Sequence, residues 1–385
     1  MLRRGVAAIL GCMGVLILFI VGGGFLLYTS LTHAETIQTP VEFQALPLYT
    51  WARIDLSDQT QCSEGSDYRI YARRGESDNL MVHFVGGGAA WDAETSANPI
   101  TIDDMGDGFY FATIWDIVRV ILDGIFNTSN PDNPFRDWNV VYIPYCTADF
   151  HIGEAHPDYI TEGGRAFTLH HNGYQNATEA LDWVFETFSS PDKLLISGES
   201  AGAFGSLFWT PVIAACYPDS EIYHLGDGSY LNTPQWPYII NDVWQADTVE
   251  RFGFEATADL IGGVYRQYVE TTAPNVTYLH INTLYDEVLT HFNAHLNGVT
   301  NDIAYRQAWS TEMRASMQAV DDTDLPYFYF LTDHNLNPET MTTPHTSISF
   351  GLFYEMEQDG VRLSDWLRRI IIDGERFSVG SGFMP

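Results

Sequence analysis

An apolar run, Leu194-Leu195-Ile196, closes into Gly198-Glu199-Ser200-Ala201-Gly202 and continues through small and apolar residues to Trp209. The order reads strand, sharp turn, helix, and the turn has the form G-x-S-x-G. A serine hydroxyl is a weak nucleophile and must project where a base can reach it. Gly198 and Gly202 leave room for a tight turn that holds the central serine in strained geometry. The next amide, on Ala201, then points from a helix N-terminus at the place where an oxyanion develops.

The rest of the chain repeats the strand and helix theme. Tyr68–Ala72 alternates, and Leu80–Val85 and Val140–Pro144 are apolar-rich runs of the kind buried on both faces. Lys193–Ser197, Tyr278–Asn282 and Tyr327–Leu331 read as further strands, and Thr178–Phe188 has helical spacing. Val361–Leu367 begins an amphipathic C-terminal helix. Strands alternating with helices predict an α/β class, with a mostly parallel central sheet flanked by helices. Residues 95–137 hold few strand signals and many turn formers, which predicts an insertion flanking the site. Residues 35–51, with prolines at 40 and 47, read as an extended linker before one large domain over 52–385.

Arg3 and Arg4 precede an uncharged run from Val6 to Tyr28, long enough to cross a bilayer. Its length favours an uncleaved signal anchor over residues 1–34, with the N-terminus in the cytoplasm and the body extracellular or periplasmic. Cleavage at Thr32-His33-Ala34 would instead release a secreted protein. The net charge of -32 leaves no basic stripe, which excludes nucleic-acid binding. Cys62, Cys146 and Cys216 lie in the exported part, so at most one internal bridge forms, with the pairing open. No cysteine pair has zinc-finger spacing.

An esterase built on this elbow needs three more parts. Gly86-Gly87-Gly88 follows an early buried strand, where such a fold places its second oxyanion donor. Trp91 follows, either walling a pocket or simply packing. The acid should come after Ser200, just past a strand end. Asp286 suits best, its neighbour Glu287 could substitute, and Asp227 is the third choice. The histidine must come late, and both His334 and His345 follow the last strand; position alone does not separate them. The expected chemistry has His345 accept the Ser200 proton and Asp286 orient the imidazole. Gly87, Gly88 and Ala201 would receive the oxyanion, and no metal or organic cofactor is required.

Several blocks in order resemble the pectin acetylesterases, a family that also holds an animal carboxylesterase removing a lipid from Wnt proteins. They are Cys62–Ser66 with Tyr71–Gly75, Phe84–Asp92, Asn139–Thr147, the serine block Gly198–Gly202, and Tyr285-Asp286. The resemblance implies an α/β-hydrolase-like fold and a serine carboxylesterase. The expected partners are an acylated glycan or small ester, with acetyl the first expectation. It also implies His345 rather than His334, because Phe353, Tyr354 and Gly360 follow at the family's spacing. Members often carry cysteine where Ala90 stands, which implies one family disulfide absent here. With its N-terminal span the chain would be a membrane-anchored, bacterial-type member. The acidic surface sits badly with a polyanionic pectin, so neutral glycans or small acyl esters are equal expectations. The alternatives are a long-chain lipid deacylase and a catalytically inactive binding protein on the same fold.

Overall fold

The structure is a computed structural model that describes residues 34–101, 108–116, 121–161, 163–271 and 276–385. The expected span from Val6 to Tyr28 lies outside the described residues. Among those described, no helix is long and apolar enough to cross a membrane.

Nine strands form one sheet. In chain order they are β1 (Glu35–Ile37), β2 (Trp51–Asp55), β3 (Arg69–Arg73), β4 (Leu80–Phe84), β5 (Asn139–Ile143), β6 (Lys193–Glu199), β7 (Glu221–Asp227), β8 (Val276–Thr283) and β9 (Tyr327–Thr332). Their spatial order is β1-β2-β3-β5-β4-β6-β7-β8-β9. Only β3 runs against its neighbours; every other pairing in the sheet is parallel. The main helices are α1 (Gly173–Thr187), α2 (Ala201–Cys216), α3 (Leu260–Thr271), α4 (Glu287–Leu296) and α5 (Ile303–Asp321).

Both sheet faces are covered, which is why the central strands read as unbroken apolar runs. Successive side chains still alternate. Leu80, Val82, Phe84, Leu194 and Ile196 face the layer that holds Phe204, Leu207 and Phe208 of α2. Met81, Leu195, Leu225 and Ile281 face the opposite layer, built from Ile348, Phe353, Trp366 and Ile370. Helix α2 is apolar around its whole circumference and is buried accordingly. Val361 and Arg362 pair with Glu357 and Gln358 in a short ribbon, so the C-terminal helix starts at Leu363, later than its periodicity suggested.

Residues 35–51 are not a linker. β1 adds a parallel edge to β2, and Pro40–Ala45 form a helix capped by Thr39 and Glu42. Three apolar anchors, Ile37, Phe43 and Leu46, are buried and pin this segment to the domain. They are spaced among polar residues and prolines, so no periodic signal betrays them. Cys62 and Cys146 form the disulfide, and Cys216 is free and exposed. Trp91 packs against Phe109 and Phe292 rather than lining a pocket.

Phe43 is fully buried, with its ring centroid 5.8 Å from that of Trp183 and 5.2 Å from that of Phe188. Phe43→Ala should therefore lower the unfolding free energy by about 3–5 kcal/mol, measured by urea denaturation. A segment that merely linked an anchor to the domain would tolerate the change without loss.

Candidate active site

Ser200 follows β6 and stands at the N-cap position of α2 with φ 54° and ψ -127°, a positive-φ conformation that side chains rarely adopt. Such a residue stores on the order of 1–3 kcal/mol and persists only where its surroundings over-determine it. Here they do. The Ser200 amide donates to the carbonyl of Asp227 at 2.8 Å. A Cβ on Gly202 would lie 2.0 Å from the Phe84 oxygen, and one on Gly198 would lie 2.1 Å from the Gly202 oxygen. The ends of β4 and β6 and the start of α2 thus meet backbone to backbone.

The glycine loop continues from β4 along this junction. A Cβ on Gly86 would sit 2.8 Å from the Ser200 Cβ, so this backbone lies directly against the serine. The loop is held from its far side, where Phe111 donates its amide to Gly87 at 2.9 Å and Ala89 donates to Phe109 at 3.0 Å. Among the described residues, the amides of Gly87 and Gly88 have no acceptor. The Ala201 amide, in the first turn of α2, has no intrahelical partner either. Gly87, Gly88, Ala201 and Ser200 all line one cavity.

His345 lines that cavity too. Its Nδ1 lies 2.7 Å from Asp286 Oδ2. Asp286 is buried, and its other oxygen accepts the amides of Val288 and Leu289 as the N-cap of α4. One carboxylate therefore both starts a helix and orients an imidazole. His345 Nε2 is buried without a hydrogen-bond partner, and no hydrogen bond joins it to Ser200 Oγ in this structure. Such bonds often tighten only once substrate is bound. Burial disfavours the imidazolium, but the charges of Asp286, Asp227 and Glu199 outweigh it and raise the His345 pKa.

The other candidates stand apart. Glu287 is exposed on the first turn of α4. His334 lies in the turn after β9 and is not part of the cavity wall. Asp227 does not bond His345; its carboxylate accepts amides from the loop that follows the histidine. That role left no mark in the sequence beyond an acid at a strand end. Glu199, the second residue of the elbow motif, also reaches this loop, accepting from the Ser349 hydroxyl at 2.5 Å.

The cavity measures about 580 Å³, within the range of roughly 300–1,000 Å³ common to small-molecule sites. Its walls are largely apolar. Ile100, Phe111, Ile114, Trp115 and Leu122 come from the expected insertion, whose described parts do flank the site. Phe150, Phe204, Leu231, Leu289 and Phe292 add further apolar wall beside Tyr71, Tyr142 and Tyr145, with Ile121 and Phe350 exposed to solvent. Glu199 is the one carboxylate among the described lining residues, and no lysine or arginine appears there.

Comparison with known proteins follows the same outline. The family model of the pectinacetylesterases matches residues 48–249. The palmitoleoyl-protein carboxylesterase notum1' of Xenopus laevis is 26% identical over 196 residues, which is 49% of this chain and 37% of that protein. The matched region is thus little more than a third of that relative's length. Two crystal forms of the Wnt deacylase Notum from Drosophila have similar folds, with TM-scores of 0.57 and 0.54 at 15% and 16% identity. Each match covers 86% of this chain, and 99% and 98% of the Notum chains. At that identity the likeness speaks for the fold, an α/β hydrolase with a mostly parallel central sheet. The family model spans more than half of the sequence: the chain belongs to the pectinacetylesterases, a family of hydrolases that act on carboxylic ester bonds.

Proposed function

We propose that this protein is a serine carboxylesterase that removes an apolar acyl chain from an extracellular acceptor. The observation that carries the proposal is the largely apolar cavity that Ser200, His345 and the glycine loop all line. Ser200 Oγ attacks the ester carbonyl while His345 Nε2 accepts its proton. Asp286 holds the imidazole in the tautomer that leaves Nε2 free and stabilises the cation that forms. The unpaired amides of Gly87, Gly88 and Ala201 receive the oxyanion, each worth about 2.7–4 kcal/mol in comparable sites. His345 then returns the proton to the leaving alcohol, and water releases the acyl group by the reverse sequence.

An acetyl group would leave most of this cavity unfilled, whereas a longer chain would cover its walls. The names of the relatives, a palmitoleoyl-protein carboxylesterase and a Wnt deacylase, support a lipid-like acyl group. The family description, pectinacetylesterase, supports the second reading, removal of acetyl from a glycan. The acidic chain, and a lining without lysine or arginine among the described residues, favour a neutral or cationic acceptor over a polyuronate. In this proposal residues 1–34 hold the folded domain to the outer face of a membrane, or are cleaved to release it.

The purified protein should turn over p-nitrophenyl esters, and Ser200→Ala should lower kcat by a factor on the order of 10⁴ or more. A fluorophosphonate probe should label the parent and not the variant; failure to label the parent would favour the inactive binding protein. Across esters from acetate to octanoate, each methylene buried is worth about 0.8 kcal/mol, or about fourfold in kcat/KM. A profile that peaks at acetate would favour the glycan deacetylase instead. Because the base must be neutral, the raised pKa of His345 sets the acid limb of kcat/KM above about 6.5, the ordinary imidazole value. A pH–rate profile checks that position.

A further inference from the structure

The loop behind His345 is gripped by two carboxylates that the proposed triad does not use. Glu199 and Asp227 end adjacent parallel strands and are register partners. Asp227 Oδ2 accepts the amide of Ser347 at 2.6 Å and that of Ile348 at 2.9 Å, and the Ser347 hydroxyl lies 3.2 Å away. Glu199 Oε2 accepts the Ser349 hydroxyl at 2.5 Å. The Asp227 carbonyl meanwhile takes the Ser200 amide. One residue thus holds the serine turn by its backbone and the histidine loop by its side chain.

The loop needs such a grip. Thr346, between the histidine and the gripped residues, has φ 56°. A β-branched side chain in that region is a strained outlier. It stays there only if its flanks are fixed. The opposite side of the loop is fixed as well, by the Asp123 and Ile125 amides donating to Ser349 and Ile348.

We propose that Glu199 and Asp227 are positioning residues, a paired carboxylate clamp that seats residues 347–349 and thereby fixes His345 beside Ser200. The inference rests on the serine esterase reading above. The clamp also places negative charge behind the imidazole. Three carboxylates act on His345: Asp286 ahead of α4, Asp227 on β7 and Glu199 on β6. Glu199 is itself faced by His83 of β4, whose Nε2 lies 3.9 Å away, and by Tyr142 of β5. Burial, reinforced by Glu199 and opposed by the loop amides, raises the Asp227 pKa to about 7.

The test uses full-length protein, with active sites counted by fluorophosphonate at saturation so that misfolded molecules drop out. Asp227→Ala and Glu199→Ala should each lower kcat per labelled site by about 10- to 100-fold with KM little changed. Asp227→Asn and Glu199→Gln keep an acceptor oxygen in place and should recover part of that loss. Their acid limb of kcat/KM should move to lower pH, more in Glu199→Gln, because an anion that favours imidazolium is gone there, and less in Asp227→Asn, because Asp227 with a pKa of about 7 is only partly ionised over that range. The inference is overturned if the alanine variants keep parental kcat per site and the amide variants leave the acid limb unmoved, while Ser200→Ala is inert. Should an alanine variant fail to fold, the amide variants decide by the acid limb alone. If Ser200→Ala still turns over substrate, the serine assignment fails and not the clamp.

Discussion

Between Gly202 and the carbonyl of Phe84 there is no room for a side chain. That contact brings the first turn of α2 against the end of β4, and the remaining geometry follows from it. With α2 so close, the chain leaving β6 has a single residue in which to reverse, and Ser200 takes the positive-φ conformation. The same closeness lays Gly86 against the serine, and Gly87, Gly88 and Ala201 line one cavity with it. The strain at Ser200 is small beside the burial of the apolar helix behind it. Nearly every residue of α2 from Ala201 to Thr210 is removed from water. A rigid core thus holds a local conformation that no local preference would choose.

Much of this was legible in the chain itself, and the reasons differ by element. The elbow and the central strands carry dense local signals: glycines at fixed offsets, and apolar runs too continuous for a half-exposed sheet. β1 and the helix at Pro40–Ala45 were illegible because three scattered apolar residues anchor them through contacts with distant partners. The choice between His334 and His345 was equally non-local. Thr343 pairs with Asp286 as an isolated bridge, and Pro344 accepts the Thr283 hydroxyl. These bonds stitch the loop to the end of β8 and set which histidine faces the cavity. The link between Asp227 and residues 347–348 crosses more than a hundred positions, and no motif announces it.

Buried carboxylates around a base carry opposing demands. Each must be solvated by something other than water, and each also biases the imidazole toward its charged form. In this chain the solvation comes from backbone amides: those of Val288 and Leu289 for Asp286, and those of Ser347 and Ile348 for Asp227. The acids are thereby integrated into helix and loop geometry. The wall across the cavity is mainly apolar among the described residues, with Ile100, Phe111, Ile114, Leu122 and Phe292 offering hydrocarbon surface beside a few tyrosine and threonine side chains. The cavity thus sets polar groups held by the backbone against a mainly apolar wall.

The bridge between Cys62 and Cys146 joins the segment before β3 to the residue after Tyr145, which lines the cavity. It closes 84 residues of chain, removing about 4–5 kcal/mol of loop freedom from the unfolded state in a chain-entropy description. Reducing compartments keep such thiols apart, and oxidising ones join them. The stretch of cavity wall at Tyr145 is therefore tied to the start of the domain only where the chain folds under oxidising conditions.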